Sequence, residues 1–362
     1  MSLELAKVTK TYSRQSTPAV SDVTIELGAG RITALLGESG SGKTTLLRLI
    51  AGFESPSVGS IRYNGEYYAH KSRFRKPQHR SITMIFQDLA LFPHLNARQN
   101  VLFGMKRIDR AARAPLLASL FTQIRLDGFE EKYPHELSGG QRQRVALARA
   151  LASRAEIILM DEPFSDLDPR LKWDLIDEIR SILTNVNKTV LFVTHDIDEA
   201  FFLADDIAIL HQGRLLQHGK IAEVYDRPNG PDVARVFGKI NCLPGSYLNR
   251  DGIVLVRPDA LEVVSMEPES SEPNEGNVTI RNDEATTSSV DQYDGVVAAS
   301  RFMGVHWETE VRLDTRNSVD GEVSGINGQR LIAQDNRARI VGHRVRIAVP
   351  ANRLHTILPD DS

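Results

Sequence analysis

Residues 37–44 read Gly37-Glu-Ser-Gly-Ser-Gly-Lys43-Thr44, a G-x-x-x-x-G-K-[ST] loop, and its flanks constrain the fold more than the loop does. The apolar run 32–36 before it reads as a buried strand. Thr45-Leu-Leu-Arg-Leu-Ile-Ala after it reads as a helix, with Gly52 as the stop. A strand, a glycine turn and a helix N-terminus in that order gather backbone N–H groups and the positive end of a helix dipole around phosphate oxygens. Lys43 then reaches the β- and γ-phosphates, and Thr44 offers its hydroxyl to Mg²⁺. A glycine turn that arises by chance lacks the strand before and the helix after.

Two further apolar runs, 157–160 and 190–194, also alternate with helical patterns, which implies a parallel sheet covered on both faces. Residues 23–27 and 61–63 are expected to be antiparallel, with Asn64-Gly65 as a turn. Residues 207–210 and 215–216, joined through Gln212-Gly213, form a second hairpin. From about Asn241 the texture changes to short β-like runs (253–257, 345–349) with few helices, as in a small β-barrel or sandwich. Residues 267–289, rich in Glu, Ser, Thr, Pro and Asn, are expected to be a solvated insertion.

A chain of 362 residues accommodates two such domains. Its net charge of −3 argues against a general nucleic-acid binder. The single cysteine, Cys242, excludes a disulfide within the chain and suits a reducing compartment. The first residues carry no basic-then-apolar leader pattern, and no run of about 18 apolar residues is expected to cross a bilayer.

Three more segments carry chemistry. Ser138-Gly139-Gly140-Gln141 opens a strong helix former. Ser138 and Gln141 make a capping box, and the two bare glycines make a second place for an anion. The run 157–160 ends in Asp161-Glu162-Pro163. A carboxylate at a strand end suits the Mg²⁺ near Thr44, and the next one suits a base aimed at an attacking water; the plain alternative is a strand end with solvated acids. Thr194-His195-Asp196 closes another strand, where a lone histidine is more often structural than catalytic.

In this order and spacing the set resembles the ATP-binding cassette of ABC transporters over about residues 1–235. Residues 37–44 match the Walker A loop, Leu137 through Gln141 the LSGGQ signature, and 157–162 the Walker B strand with its catalytic glutamate. Ser165-Asp166-Leu167-Asp168 matches the D-loop, His195 the switch histidine, Gln87 the Q-loop glutamine and Tyr12 the aromatic residue that stacks on adenine. The departures are Asp166 in the D-loop, Glu38 where importers often carry proline, and Arg98-Gln99-Asn100 in place of a commoner Glu-Asn pairing.

The resemblance implies an α/β P-loop NTPase with a RecA-like core, an antiparallel β subdomain and a helical arm at about 88–140, all within residues 1–238. A small OB-like β domain follows over 239–362. It implies ATP and Mg²⁺ as cofactors and Glu162 and His195 as catalytic residues. ATP would be bound by Tyr12, Gly37, Glu38, Ser39, Gly40, Ser41, Gly42, Lys43, Thr44, Thr45 and Gln87, and from the opposite subunit by Ser138, Gly139, Gly140 and Gln141. Mg²⁺ would be held by Thr44, Gln87 and Asp161, and Asp168 belongs to the D-loop. The implied partners are a second cassette, most simply another copy, and two transmembrane permease subunits, with a periplasmic solute-binding protein acting indirectly and no nucleic acid. The implied place is the cytoplasmic face of the bacterial inner membrane.

The C-terminal half narrows the resemblance. Val256-Arg257-Pro258-Asp259-Ala260-Leu261, Phe302-Met303-Gly304 and the segment from Thr309 to Leu313 resemble the maltose/iron/spermidine group of importer ATPases. Ala51-Gly52-Phe53-Glu54 and Tyr133-Pro134-His135-Glu136 look most like the ferric-iron members, so ferric iron is the expected solute. The alternatives are a sugar, a polyamine or thiamine, or a soluble ABC ATPase outside transport. No His/Cys/Asp/Glu spacing points to iron bound by this chain itself. The basic run His70-Lys-Ser-Arg-Phe-Arg-Lys-Pro-Gln-His-Arg80 is expected to be a solvated loop, with attraction to anionic lipid as the sharper reading.

Overall fold

The computed structural model describes residues 2–13, 16–71, 73–165, 167–248, 251–266, 290–314, 329–350 and 353–357. The expected insertion at 267–289 and Asp166 lie outside them. The chain divides into two compact units, Met1–Val224 and Tyr225–Ser362.

Among the described residues the first unit carries eleven strands and most of the helices. Strands β1 (Ser2–Lys10), β2 (Val20–Gly28), β4 (Val58–Tyr63), β5 (Glu66–His70) and β6 (Arg73–Phe74) make an antiparallel sheet in the order β2-β1-β4-β5-β6. The two runs read as antiparallel, 23–27 and 61–63, both pair with β1, which lies between them. Asn64 and Gly65 have φ of 50° and 80°, the left-handed pair that a two-residue hairpin between β4 and β5 requires.

Strands β3 (Ile32–Leu36), β7 (Ile82–Ile85), β8 (Ile157–Asp161), β9 (Thr189–Val193) and β10 (Asp206–His211) are mutually parallel. With the antiparallel β11 (Arg214–Lys220) they form a second sheet, β11-β10-β3-β9-β8-β7. Every residue of β3, β8 and β9 is buried, so these strands read in the sequence as unbroken apolar runs rather than alternating ones. Helix α1 (Lys43–Ala51) buries Leu46, Leu47, Leu49 and Ile50 in a core shared by the two sheets. Each such side chain contributes about 1.5–3 kcal/mol relative to exposure.

The arm between Gln87 and Ser138 holds α2 (Ala97–Gly104) and α3 (Arg110–Gln123). Helix α4 (Gly139–Leu151) returns the chain to β8. Helices α5 (Pro169–Val186) and α6 (Ile197–Leu203) follow β8 and β9. Asn100 is fully buried; it accepts from the Phe92 amide and donates to the carbonyls of Phe92, Leu95 and Asn96, which fixes the turn before α2. Gln99 completes a capping box with Asn96. The unusual Arg98-Gln99-Asn100 therefore has a local structural role.

The basic run 70–80 is not one solvated loop. Arg80 is only 3% exposed. It donates to the carbonyls of Arg75, Leu49, Ile50 and Tyr68 and so closes the C-terminal end of α1. Arg73, Phe74, Lys76 and His79 are exposed, as expected.

Helix α7 (Ile221–Asp226) spans the division between the units. In the second unit, α8 (Pro231–Val236) packs Ala234 against Leu255 and Ile357. The strands there are β12 (Asn241–Pro244), β13 (Ile253–Val256), β14 (Glu262–Ser265), β15 (Val290–Phe302), β16 (Trp307–Leu313), β17 (Arg330–Asp335), β18 (Arg344–Pro350) and β19 (Leu354–Ile357). They form two antiparallel sheets, β12-β13-β19 and β14-β18-β15-β16-β17, around one core that includes Leu243, Val254, Tyr293, Val311 and Ile347. Among the described residues no helix is long and apolar enough to cross a membrane.

Candidate functional site

The parallel strands deliver their carboxyl ends to one edge of the six-stranded sheet, the place where open α/β sheets bind ligands. The Gly37–Thr44 turn leaves β3 at that edge. Gly42 adopts φ 103° and a Cβ on it would stand 2.2 Å from the Ala19 carbonyl oxygen, so only glycine fits. Helices α2, α4, α5 and α6 begin on capping side chains (Asn96, Ser138, Asp168 and Asp196). Helix α1 begins on Gly42 with no side-chain cap. Its first amides are open to an anion, as the strand–loop–helix pattern implies.

Lys43 is 6% exposed and donates to the carbonyls of Gly37 (2.7 Å) and Glu38 (2.9 Å), which folds its ammonium back over the loop. Burial pulls its pKa below the usual lysine value, while Glu162 and Asp161 act to restore it. Thr44 Oγ1 donates to Asp161 Oδ1 at 3.2 Å, so the two expected Mg²⁺ ligands from β8 and α1 are already side by side. Burial raises the Asp161 pKa, against the Thr44 bond that lowers it.

Glu162 has φ 45°, a left-handed conformation uncommon for a side chain of its size. Its amide donates to the Val193 carbonyl at 3.1 Å, so the ends of β8 and β9 are tied together. His195 Nδ1 then lies 3.6 Å from Glu162 Oε2, and both side chains are open to solvent, at 64% and 27% exposure. The lone histidine at a strand end is thus paired with the strand-end glutamate across two adjacent strands.

The residues present suit a nucleotide with Mg²⁺. Ser41 Oγ is buried without a hydrogen-bond partner in the loop. Among the described residues nothing beyond its chain neighbours lies within 4 Å of where a Gly40 Cβ would stand, so the loop leaves room there. A hydroxyl and one carboxylate, rather than a full protein cage, are the ligands Mg²⁺ takes when phosphates supply the rest. Among the described residues no group of three or more His, Cys, Asp or Glu stands ready to hold another metal. Glu38 and Ser39 are exposed on the loop, and Thr45 follows Thr44 in the first turn of α1.

The remaining expected residues fall in three places. Gln87 follows β7, which pairs in parallel with β8 through Ile85 and Met160; continuing that register sets Gln87 level with Glu162, exposed at the same edge. Tyr12 follows β1, and among the described residues its ring contact is with Lys10 Nζ, 5.1 Å from the centroid, rather than with the loop. Ser138 and Gln141 form the capping box: the Ser138 hydroxyl accepts from the Gln141 amide, and the Gln141 side chain accepts from the Ser138 amide. Among the described residues a Cβ on Gly140 would meet only Leu175 Cδ2, at 3.8 Å, so their packing does not require glycine there. Asp168 caps α5 by accepting from the Arg170 amide.

Two further residues at this edge carry no sequence motif. Arg149 of α4 donates to the carbonyls of Leu89 and Ala90, both 2.7 Å, just past Gln87, where both residues have positive φ. Lys172 of α5 binds the segment that carries His195. An arginine or lysine on an amphipathic helix gives no sign in sequence of which carbonyl or carboxylate it will meet.

The ABC transporter family model matches residues 20–165. The chain is 40% identical over 269 residues to the sulfate/thiosulfate import ATP-binding protein CysA 1 of Agrobacterium fabrum, covering 73% of this chain and 75% of that one. It is 40% identical over 273 residues to the putrescine transport ATP-binding protein PotG of Escherichia coli, covering 74% and 71%. Among solved structures, a dimeric ATP-binding cassette in a post-hydrolysis state bound to ADP and Pi matches with a TM-score of 0.52 and 29% identity, over 60% of this chain and 98% of that one. With the phosphate loop, the Thr44–Asp161 pair and the Glu162–His195 pair on one sheet edge, these likenesses show that the chain belongs to the ATP-binding subunits of ABC importers, ATPases that bind ATP with Mg²⁺ and couple its hydrolysis to import.

Proposed function

We propose that this subunit hydrolyses ATP at the carboxyl edge of its parallel sheet, as half of a homodimer, to drive import of a small hydrophilic solute of the sulfate/thiosulfate class. The observation that carries the site is the 3.6 Å pair of Glu162 and His195 beside the Thr44–Asp161 contact. Lys43 leaves its loop carbonyls for the β- and γ-phosphates, and the open amides of α1 receive the same oxygens. Thr44 and Asp161, with Gln87, would hold Mg²⁺, which would supply neutralising charge for the phosphates. Glu162 orients the attacking water and accepts its proton, and His195 meets the transferred phosphoryl group. The γ-phosphorus–bridging-oxygen bond breaks as the water oxygen bonds phosphorus, so ATP and water give ADP and phosphate.

The chain has one loop and one signature, so a second copy is needed to bring Ser138, Gly139, Gly140 and Gln141 to the nucleotide held by the first. The space around Gly140 supports that reading, since packing among the described residues does not call for glycine there. The dimeric cassette among the similar structures supports it as well. Tyr12 is assigned to adenine and Asp168 to the dimer-facing turn. The cassette, expected over 1–238, is taken to end near Val224, because Ala234 of α8 packs with Leu255 and Ile357; the rest is taken as an OB-like module, a reading supported by the two antiparallel sheets around one core. The place of work is the cytoplasmic face of the inner membrane, against two permease subunits, with a periplasmic binding protein delivering the solute.

The ferric-iron expectation finds no counterpart among these relatives. The tetrapeptides behind it have local roles: Gly52 ends α1 at φ 86°, and Glu136 accepts from the Tyr133 amide at 2.7 Å. Putrescine is the second reading, favoured by the equal identity to PotG. Deleting the gene and following uptake of labelled sulfate, putrescine and ferric iron separates them; loss of sulfate uptake alone is expected, and intact sulfate uptake overturns the assignment. Glu162→Gln in the purified chain should lower phosphate release by about 10²–10⁴-fold while ATP binding persists. Wild-type turnover in that variant would remove Glu162 as the base.

A further inference from the structure

His195 is exposed to solvent, yet the residues on both sides of it are locked. Thr194 is 2% exposed and its amide donates to the Leu35 carbonyl, one residue before the end of β3. Its hydroxyl donates to Glu199 Oε2 and accepts from the Asp196 amide at 3.0 Å. Asp196 Oδ1 caps α6, accepting from Asp198 at 2.9 Å and more weakly from Glu199. The remaining oxygens of these two acids, Asp196 Oδ2 and Glu199 Oε1, meet one cation, Lys172 Nζ, at 2.6 and 2.5 Å. Lys172 is 14% exposed and Glu199 5%, so this cluster is sheltered and worth more than a surface pair.

Lys172 stands in the first turn of α5, the helix that Asp168 caps, and its amide donates to the Asp168 carbonyl at 3.0 Å. Lys172 therefore ties the start of α5, of which it is part, to the segment that carries His195 through its side chain. We propose that Lys172 is a positioning residue for hydrolysis: it holds the Thr194–Glu199 segment so that His195 faces Glu162, and it sets the rate of the chemical step rather than the affinity for ATP. Burial works against the ammonium charge, but the two carboxylates outweigh it and hold Lys172 above its ordinary pKa, so the clamp stays charged at neutral pH. Without the cation, Asp196 and Glu199 face each other as like charges and the segment between them keeps only its Thr194 and capping bonds.

The inference rests on the assignment of Glu162 and His195 above, and the experiment separates the two. In the full-length chain, ATP turnover, KM, ATP binding and thermal midpoint are compared for wild type, Lys172→Met, Lys172→Arg and Glu162→Gln. Misplacing a catalytic group by about 1 Å costs roughly 10²-fold. Lys172→Met is therefore expected to lose about 10–100-fold in kcat, with KM and ATP binding within about threefold, and Lys172→Arg is expected to restore most of the loss. A folded Lys172→Met with wild-type kcat overturns the inference, as does a loss of kcat matched by an equal rise in KM, or one that Lys172→Arg leaves unrepaired. If Lys172→Met does not fold, Asp196→Asn, which keeps the capping oxygen and removes one charge of the clamp, carries the same expectation and the same refutation. Glu162→Gln with undiminished turnover would instead overturn the site assignment beneath it.

Discussion

Arg80→Met tests how the phosphate-loop helix is anchored. The guanidinium is 3% exposed and donates to Arg75 O and Leu49 O, both 2.8 Å, to Ile50 O, and more distantly to Tyr68 O at 3.3 Å. Leu49 and Ile50 belong to the last turn of α1, where carbonyls have no partner within the helix. A Cβ on Gly52 would touch Arg80 Nε at 2.5 Å, so the fork lies flush against the helix end. Burial lowers the Arg80 pKa to about 10, which leaves it charged at neutral pH. A hydrogen bond to a charged group contributes about 1.5–3 kcal/mol net. Three good bonds are offset by the cost of burying the cation, and water partly replaces them on mutation. The expected loss is about 3–5 kcal/mol, the range for breaking a buried charged cluster. For a unit of this size that is roughly 6–20 °C in the midpoint of the cassette transition. Scanning calorimetry of the full chain measures it, with the C-terminal transition as internal control because the two units need not melt together. Arg80→Lys should recover less than half, since an ammonium cannot span the fork. A cassette midpoint within about 2 °C of wild type would refute the anchoring role.

Two further perturbations probe the loop itself. Lys43→Ala should fold and lose roughly 10–150-fold in ATP affinity, the equivalent of one charge-assisted phosphate contact; equilibrium binding of a fluorescent nucleotide checks it, and a Kd within twofold of wild type would contradict the assignment. Gly42→Ala and Gly40→Ala both place a side chain at positive φ, but only the first meets the backbone, at Ala19 O. Gly42→Ala should therefore destabilise by several times the roughly 1–2 kcal/mol of backbone strain that Gly40→Ala alone incurs, and equal melting midpoints for the two would show that the loop relaxes.

Much of the site was legible because its chemistry is local. The loop from Gly37 to Thr44 needs consecutive residues between one strand and one helix, and β3, α1 and the Gly52 stop stand where the sequence puts them. The two hairpins announced themselves through Asn64-Gly65 and Gln212-Gly213, because positive φ at two successive positions selects few residue types. The second unit was legible only as β texture: antiparallel registers such as β15 with β18 join positions some fifty residues apart, and no local signal specifies them.

What the sequence determined alone was the set of groups: a phosphate loop, a strand ending in Asp161 and Glu162, and a strand followed by His195. What only the tertiary structure decided was which of them meet. Thr44 reaches Asp161 because β8 lies two strands from β3, with β9 between them, and His195 reaches Glu162 because β8 and β9 are neighbours. Arg80 sat in a run that reads as solvated charge and is instead the most enclosed cation of that run, while Lys172 carried no signal at all. The physical reason is common to both. A long cationic side chain has the same composition and helical phase whether it faces water or a cluster of carbonyls or carboxylates. Its role is set by what the rest of the chain brings within about 3 Å of its end, the reach of a hydrogen bond.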